Sequence, residues 1–244
     1  MQRVILVTDT SGKHGSVALA RASDCVERAL LPAAPIHDEG AGVPAPPEIH
    51  LIESVPLAGG TFSAQLVPQI AALLAKHEFS KTDIEAFVVV SGPGSFTGLR
   101  VGLAAIKALA EILHKPIVPV SLLEVLAVAS RASGKLLAVL DAGRGEFYAG
   151  EYQVADGVAR LLGERMLAKE ELPRVGDSQI VVTSDKTLVE SLLSGSPVSV
   201  VPINPSAVAE LGWHKLQAGE TVMPEQLEAN YIRRSDAEIF AKSS

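Results

Sequence analysis

The sequence predicts an α/β protein built from two similar lobes, and three observations carry that prediction. Short β-branched runs alternate along the chain with stretches of helical apolar spacing. A unit of buried strand, aspartate, glycine-bearing turn and second strand occurs twice, at Val4–Val7 with Asp9 and at Leu136–Leu140 with Asp141. The length, 244 residues, suits one large domain or two compact lobes. At this size roughly 70–75% of the unfolded surface is buried on folding, so stability requires neither a disulfide nor a structural metal.

Val4 to Val7 reads as a buried strand, Asp9-Thr10-Ser11-Gly12-Lys13-His14-Gly15 as a polar loop, and Ser16 to Ala20 as the returning strand of a hairpin. Residues 32–47 hold Pro32, Pro35, Pro44, Pro46 and Pro47 together with Gly40 and Gly42, a density that neither helix nor ladder survives. They are expected as an insertion within the first lobe, because strand-like Ile49 to Val55 follows at once. Ser63 to His77 has Leu66, Ile70, Leu73 and Leu74 at helical spacing. Pro68 is expected in its first turn, where a missing N–H costs least.

Phe87 to Val90 is a buried strand, and Leu99 to Leu113 a long helix. The helix is polar only along the narrow stripe of Arg100, Lys107 and Glu111, so cover on more than one side is expected. Ile117–Val120 reads as a strand, Leu122–Ala132 as a helix, and Leu136–Leu140 as a strand with Phe147–Val154 as its antiparallel partner. Ile180–Thr183 is a short strand, Leu188–Leu193 a helix, and Ala207–Ala218 a helix closed by Gly219. The expected division is 1–115 and 116–244, with the last helix packing back on the first lobe.

Composition excludes several classes of function. Lys and Arg number 21 against 28 Asp and Glu, and a net charge of −7 argues against gripping nucleic acid alone. Aromatic residues at 4% leave little for base-stacking platforms. The single cysteine, Cys25, excludes an internal disulfide and a multi-cysteine metal site, and its flanking Arg21 and Arg28 do not mark a reactive thiol. Six histidines never fall at i, i+3 or i, i+4, so no helical zinc pair is expected and no metal is assigned. No apolar run reaches membrane-spanning length, and the N-terminal run is too short for a signal peptide and ends in a carboxylate. These features are those of a soluble, acidic, cytoplasmic protein.

Three segments carry candidate chemistry. In Asp9-Thr10-Ser11-Gly12, a strand-end carboxylate and glycine-freed amides suit a cation and a phosphate; the same residues also suit a turn in which Asp9 and Ser11 satisfy their own backbone. Ser91-Gly92-Pro93-Gly94-Ser95-Phe96-Thr97-Gly98-Leu99-Arg100 leads from a buried strand into a helix that Ser95 or Thr97 would cap. It lacks the lysine of a phosphate-binding P-loop and the flanking glycines of a serine nucleophile elbow. Gly98 and Gly102, with Ala105 above them, would admit a second helix closely. Asp141-Ala142-Gly143-Arg144-Gly145-Glu146 would present Asp141 and Glu146 between the lobes, or form a tight turn with a local Arg144–carboxylate pair.

The stretch Gly92 to Ala110 resembles the signature of the bacterial TsaB (YeaZ) family, which acts in tRNA threonylcarbamoyladenosine biosynthesis. Ile5 to Ser11 with Ser16 to Leu19, Pro119 to Leu123, Asp141 to Tyr148 and Tyr231-Ile232-Arg233 are similar to further family segments in the family's order. Residues 32–47 have no counterpart in the family, and Phe62-Ser63-Ala64 replaces its His-Ser-Glu-like helix start. The resemblance implies the two-lobed actin-like ATPase superfamily (ribonuclease H-like, duplicated) fold. It further implies a subunit without catalytic residues or cofactor, partnering a TsaD-type catalytic subunit and a TsaE-type ATPase, touching tRNA only indirectly and pairing as a homodimer in isolation. Leu66, Ile70, Leu73, Leu74, Gly98, Gly102, Ala105 and Leu109 are the expected interface, and Gly92, Gly94, Ser95, Thr97 and Arg100 the signature loop. Asp9, Ser11, Gly12, Asp141 and Glu146 are the candidates should the interlobe cleft hold a nucleotide weakly. The alternative is a small ATP-dependent kinase or ATPase of the same superfamily, with Asp9 binding a metal through water and Asp141 as base. A serine hydrolase lacks any supporting Ser–His–Asp spacing.

Overall fold

The structure is a computed structural model that describes residues 4–22, 49–172, 180–188 and 197–233. The expected insertion at 32–47, Cys25, Arg28, most of the expected helix 188–193 and Arg234 lie outside the described residues. Ten strands are described: β1 Val4–Asp9, β2 His14–Ala22, β3 Ile49–Ala58, β4 Ile84–Gly92, β5 Ile117–Ser121, β6 Gly134–Gly143, β7 Glu146–Ala155, β8 Val158–Ala168, β9 Ile180–Thr183 and β10 Val198–Val200. The main helices are α1 Phe62–Lys76, α2 Phe96–Leu113, α3 Leu122–Ala129 and α4 Pro205–Gln217.

The strands form two five-stranded sheets, ordered β3-β2-β1-β4-β5 and β8-β7-β6-β9-β10. In each, the first three strands in sequence make an antiparallel meander, and two later strands add in parallel beside the first. The two sheets therefore share one topology, as the repeated strand–aspartate unit predicts.

Burial follows from the residues. Strand β1, with Val4 to Thr8 all buried, has apolar side chains on both faces because both faces are covered. Val4 and Leu6 join Leu66, Ile70, Leu73, Leu103 and Ile106 in a core beneath α1 and α2. Ile5 and Val7 point the other way, into a core with Leu122 and Val125 of α3 and Val208, Leu211 and Trp213 of α4. The remaining apolar face of α3, Leu123, Leu126 and Ala127, packs on the second sheet. A single helix is thus shared by both lobes. Strand β5, which the expected division at 115 assigns to the second lobe, hydrogen-bonds in the first sheet, and α4 covers that sheet's second face.

Several local expectations are corrected. Helix α1 begins at Phe62, so Pro68 stands in its second turn rather than its first. Its Cα lies on the solvent side, where the carbonyl of exposed Ala64, left without a helical donor, can meet water. Helix α3 ends at Ala129, short of Ala132, with Arg131 at φ +54 turning the chain away. Strands β8 and β10 were not expected. The former carries exposed Val158, Leu161 and Leu162 on a sheet edge, so it lacks the in–out alternation that marks a strand.

Candidate functional site

The signature loop and the β1–β2 hairpin are built into one another. Asp9 ends β1, and its Oδ1 accepts from the Ser11 backbone N–H at 2.8 Å and the Ser11 hydroxyl at 2.6 Å. Burial pushes the Asp9 carboxyl above the ordinary aspartate range, and those two hydrogen bonds pull it partly back. That local turn holds Thr10 and Ser11 against the signature. The Ser95 N–H donates to the Ser11 carbonyl at 2.6 Å. A Cβ on Gly94 would stand 2.5 Å from that same oxygen, and one on Gly98 would overlap the Thr10 carbonyl. One on Gly102 would overlap the Thr10 side chain. The small-residue stripe therefore admits Thr10 of the hairpin loop at Gly98 and Gly102, and at Gly98 also the ring of Phe62 from the start of α1, 3.3 Å from where a Cβ would stand.

Ser95 caps α2, its hydroxyl accepting from the Gly98 N–H at 3.3 Å. Thr97 stays exposed in the first turn. Arg100 points outward: its guanidinium lies 3.7 Å from the Phe96 ring centroid, and its Nε donates to the Tyr231 hydroxyl at 3.2 Å. Phe96 and Tyr231 are themselves 5.0 Å apart, tilted by 36°.

Two cavities flank the hairpin. One of about 310 Å³ has Asp9, His14, Ser54 and Asn204 on its wall. The other, a groove of about 600 Å³, runs between Gly12, Lys13, Gly59, Ser95 and Thr97 over a floor of Phe62 and Val101. Asp141 and Glu146 line neither. Exposed Asp141 accepts from the Gly143 N–H at 2.8 Å, and Glu146 pairs at 3.1 Å with Arg233 rather than with the neighbouring Arg144. Of the five cleft candidates, Asp9, Ser11 and Gly12 stand together, while Asp141 and Glu146 form a separate turn. Among the described residues no group of three or more His, Cys, Asp or Glu could hold a metal ion.

The expected interface residues are mostly interior. Leu66, Ile70, Leu73 and Leu74 are at most 7% exposed, and Gly98 and Gly102 are buried. Half-buried Ala105 and Leu109 pack on the same core. An apolar helical stripe identifies the face turned toward the chain's own sheet, and here that face is fully used. Exposed instead are Ala64, Val67 and Ala71 on α1 and Ala104, Ala108 and Ile112 on α2, the last 70% accessible.

Sequence reasoning missed Glu164. This β8 residue accepts from the Tyr152 hydroxyl at 3.2 Å, the Ser121 hydroxyl at 3.4 Å and the Asn230 side-chain amide at 2.6 Å. Burial, reinforced by the Glu164 charge, pushes the Tyr152 phenol far above its usual value, so it stays a donor. No spacing in the sequence joins these four residues.

Two sheets of identical topology, α1 and α2 on one face and α3 between the lobes, define the two-lobed actin-like, ribonuclease H-like fold. Its structural neighbours include YeaZ from Pseudomonas aeruginosa, with a TM-score of 0.64 at 23% identity, covering 94% of this chain and 99% of that one. Residues 56–177 match the family model described as TsaD, tRNA N6-adenosine threonylcarbamoyltransferase. The tRNA threonylcarbamoyladenosine biosynthesis protein TsaB of Bacillus subtilis is 39% identical over 97 residues, 39% of this chain and 42% of that protein. An uncharacterized protein of Mycobacterium tuberculosis is 31% identical over 189 residues, 78% of this chain and 83% of that one. The chain belongs to the TsaB (YeaZ) family. Its match spans less than half the length of the B. subtilis relative.

Proposed function

We propose that this chain is a non-catalytic subunit in the synthesis of threonylcarbamoyladenosine on tRNA. It pairs with a TsaD-type catalytic subunit, a TsaE-type ATPase joins them, and tRNA is met only indirectly, in the cytoplasm. The observation that carries this reading is membership of a family whose curated relatives are named for that biosynthesis. The net charge of −7 is consistent with leaving RNA to another chain.

The outer face of α1 and α2 is the docking surface in this reading. Ala64, Val67, Ala71, Ala104, Ala108 and Ile112 leave small and apolar side chains outward on two adjacent helices. Small residues let a second helical pair approach closely and lose little side-chain entropy on doing so. The same face serves a second copy of this chain when the partner is missing.

The test is a reconstituted tRNA modification assay with and without the chain, together with size-exclusion co-elution with the TsaD-type subunit. Val67→Arg and Ala108→Arg are the informative variants, since each adds a charge on the outer face without entering the core. Co-elution and stimulation should fall together while the melting temperature holds. Equal modification in the absence of the chain refutes the reading.

A further inference from the structure

We propose that residues 227–233 act as a strap that fixes the angle between the two lobes, and that this is the role of the Tyr231-Ile232-Arg233 motif. After the short turn Pro224–Gln226 the segment inserts apolar anchors in both lobes in succession. Leu227, 1% exposed, joins the core beneath α1 and α2, with Ala229 packed beside it. Ile232 packs into the other lobe's core with Leu123, Tyr152 and Val154.

The polar contacts alternate in the same way. The Asn230 N–H donates to the Ser91 carbonyl at the end of β4, at 2.8 Å. Its side-chain amide donates to Glu164 on β8, at 2.6 Å. Gly92, at φ +142, is what admits it: a Cβ there would stand 2.6 Å from the Asn230 carbonyl oxygen. Tyr231 accepts from Arg100 and packs on Phe96, both of the first lobe. Arg233 donates to the Ala142 carbonyl at 3.3 Å and pairs with Glu146 at 3.1 Å, both of the second.

Rotation of one sheet against the other must break either the Ser91 or the Glu164 bond of a single residue, Asn230. It must also pull Leu227 or Ile232 from its core. Hinge closure concentrates backbone rotation in a few residues, and contacts that one segment makes to both lobes oppose it. Here the cross-link crosses at the signature loop itself.

Amide hydrogen exchange of the full chain tests the strap, with Asn230→Ala and Arg233→Ala singly and together. The expected result is exchange about tenfold faster at both remote anchors, residues 91–96 and 142–147, with central β1 and β6 amides still protected. A spin or fluorophore pair, one label on each lobe, should show a broadened distance distribution. Acceleration confined to 227–233, with an unchanged distance distribution, overturns the proposal. Should the double variant unfold, the exchanged pair Glu146→Arg with Arg233→Glu decides. Protection at 91–96 lost in each single variant and regained in the pair supports the strap, and failure to regain it refutes it.

Discussion

Gly102→Ala separates two accounts of the signature helix. Gly102 lies in the middle of α2, where alanine is the better helix former by about 0.5–1 kcal/mol. Were the glycine a contact point for an external helix, the substitution would leave the isolated chain as stable or slightly more so. In the structure its missing Cβ is replaced by the Thr10 side chain, itself only 2% exposed and pinned by the Asp9–Ser11 turn. Turning the Thr10 side chain does not clear the space, because its Cβ and Cγ2 also stand 3.2 Å from the added carbon, and the Ser95 N–H on the Ser11 carbonyl holds the adjoining backbone. Overpacking of a fixed site costs about 1–3 kcal/mol, so the net loss after the propensity gain spans about 0–2.5 kcal/mol and is about 1 kcal/mol at mid-range. For a chain of this length a loss of about 1 kcal/mol lowers Tm by roughly 2–4 °C.

The assay is thermal unfolding followed by circular dichroism, extended to a double-mutant cycle with Thr10→Ala. Removing the threonine's Oγ1 and Cγ2 opens the space, so Gly102→Ala should cost less in that background than in the wild type, with a coupling of about 1 kcal/mol. A Gly102→Ala Tm equal to or above the wild type, or additive effects in the cycle, refutes the packing argument. The same reasoning makes Gly102→Arg a folding variant, unsuited to mapping a docking face.

Three further outcomes follow from the polar contacts. Lys215 and Glu124, each 17% exposed, form an ion pair between α4 and α3 at 3.0 Å. Burial raises the Glu124 carboxyl; burial opposes the Lys215 charge as well, but Glu124 and Glu220 outweigh it and hold Lys215 above its ordinary value. Lys215→Met strands a buried carboxylate and should cost about 3–5 kcal/mol at pH 8, partly regained on acidification as Glu124 takes up a proton; adding Glu124→Gln should restore most of it, and a pH-independent loss would be contrary. Because the folded-state value of Asp9 is raised, the wild type loses stability as pH rises through that range; Asp9→Asn, which keeps an acceptor for Ser11, should therefore match or exceed the wild-type Tm at pH 8 and lose that advantage at low pH. A lower Tm at pH 8 would show that the ionised carboxylate stabilises the hairpin. Ser95→Ala removes the α2 cap and should cost about 1 kcal/mol, or roughly 2–4 °C in Tm; no shift would mean that the long 3.3 Å bond contributes nothing.

The fold was legible where periodicity alone decides. The runs Val4–Val7 and Leu136–Val139 are buried on both faces, and their shared aspartate–turn sequel marked the duplicated topology. What escaped depends on contacts remote in sequence. Strand β8 pairs on one edge only and exposes Leu161 and Leu162, so neither alternation nor a continuous apolar run announced it. Glu164 gathers Ser121, Tyr152 and Asn230 from three other segments, and no spacing rule connects them. In the candidate site the spacing of Gly98 and Gly102 told that something approaches α2 closely, but not what. The stripe of Leu66, Ile70, Leu73 and Leu74 suits a docking face in sequence, but hydrophobic periodicity locates the buried side of a helix, and all four are buried. A docking face among exposed alanines carries almost no periodic signal. Glu146 found Arg233 instead of Arg144 because the positive φ of Arg144 belongs to a tight turn that the strap then closes.

The cover of the first sheet by a helix from late in the chain sets the order in which this chain can mature on the ribosome. The first sheet is complete once β5 ends at Ser121, yet the α4 side chains Val208, Leu211 and Trp213 that close its second face emerge nearly a hundred residues later. At about 5–20 residues per second, Ile5, Val7, Val88 and Val118 remain open to water and to other chains for roughly 5–20 s. A nascent chain halted before Pro205 should accordingly bind a hydrophobic dye or a holding chaperone, and release it once α4 has been added.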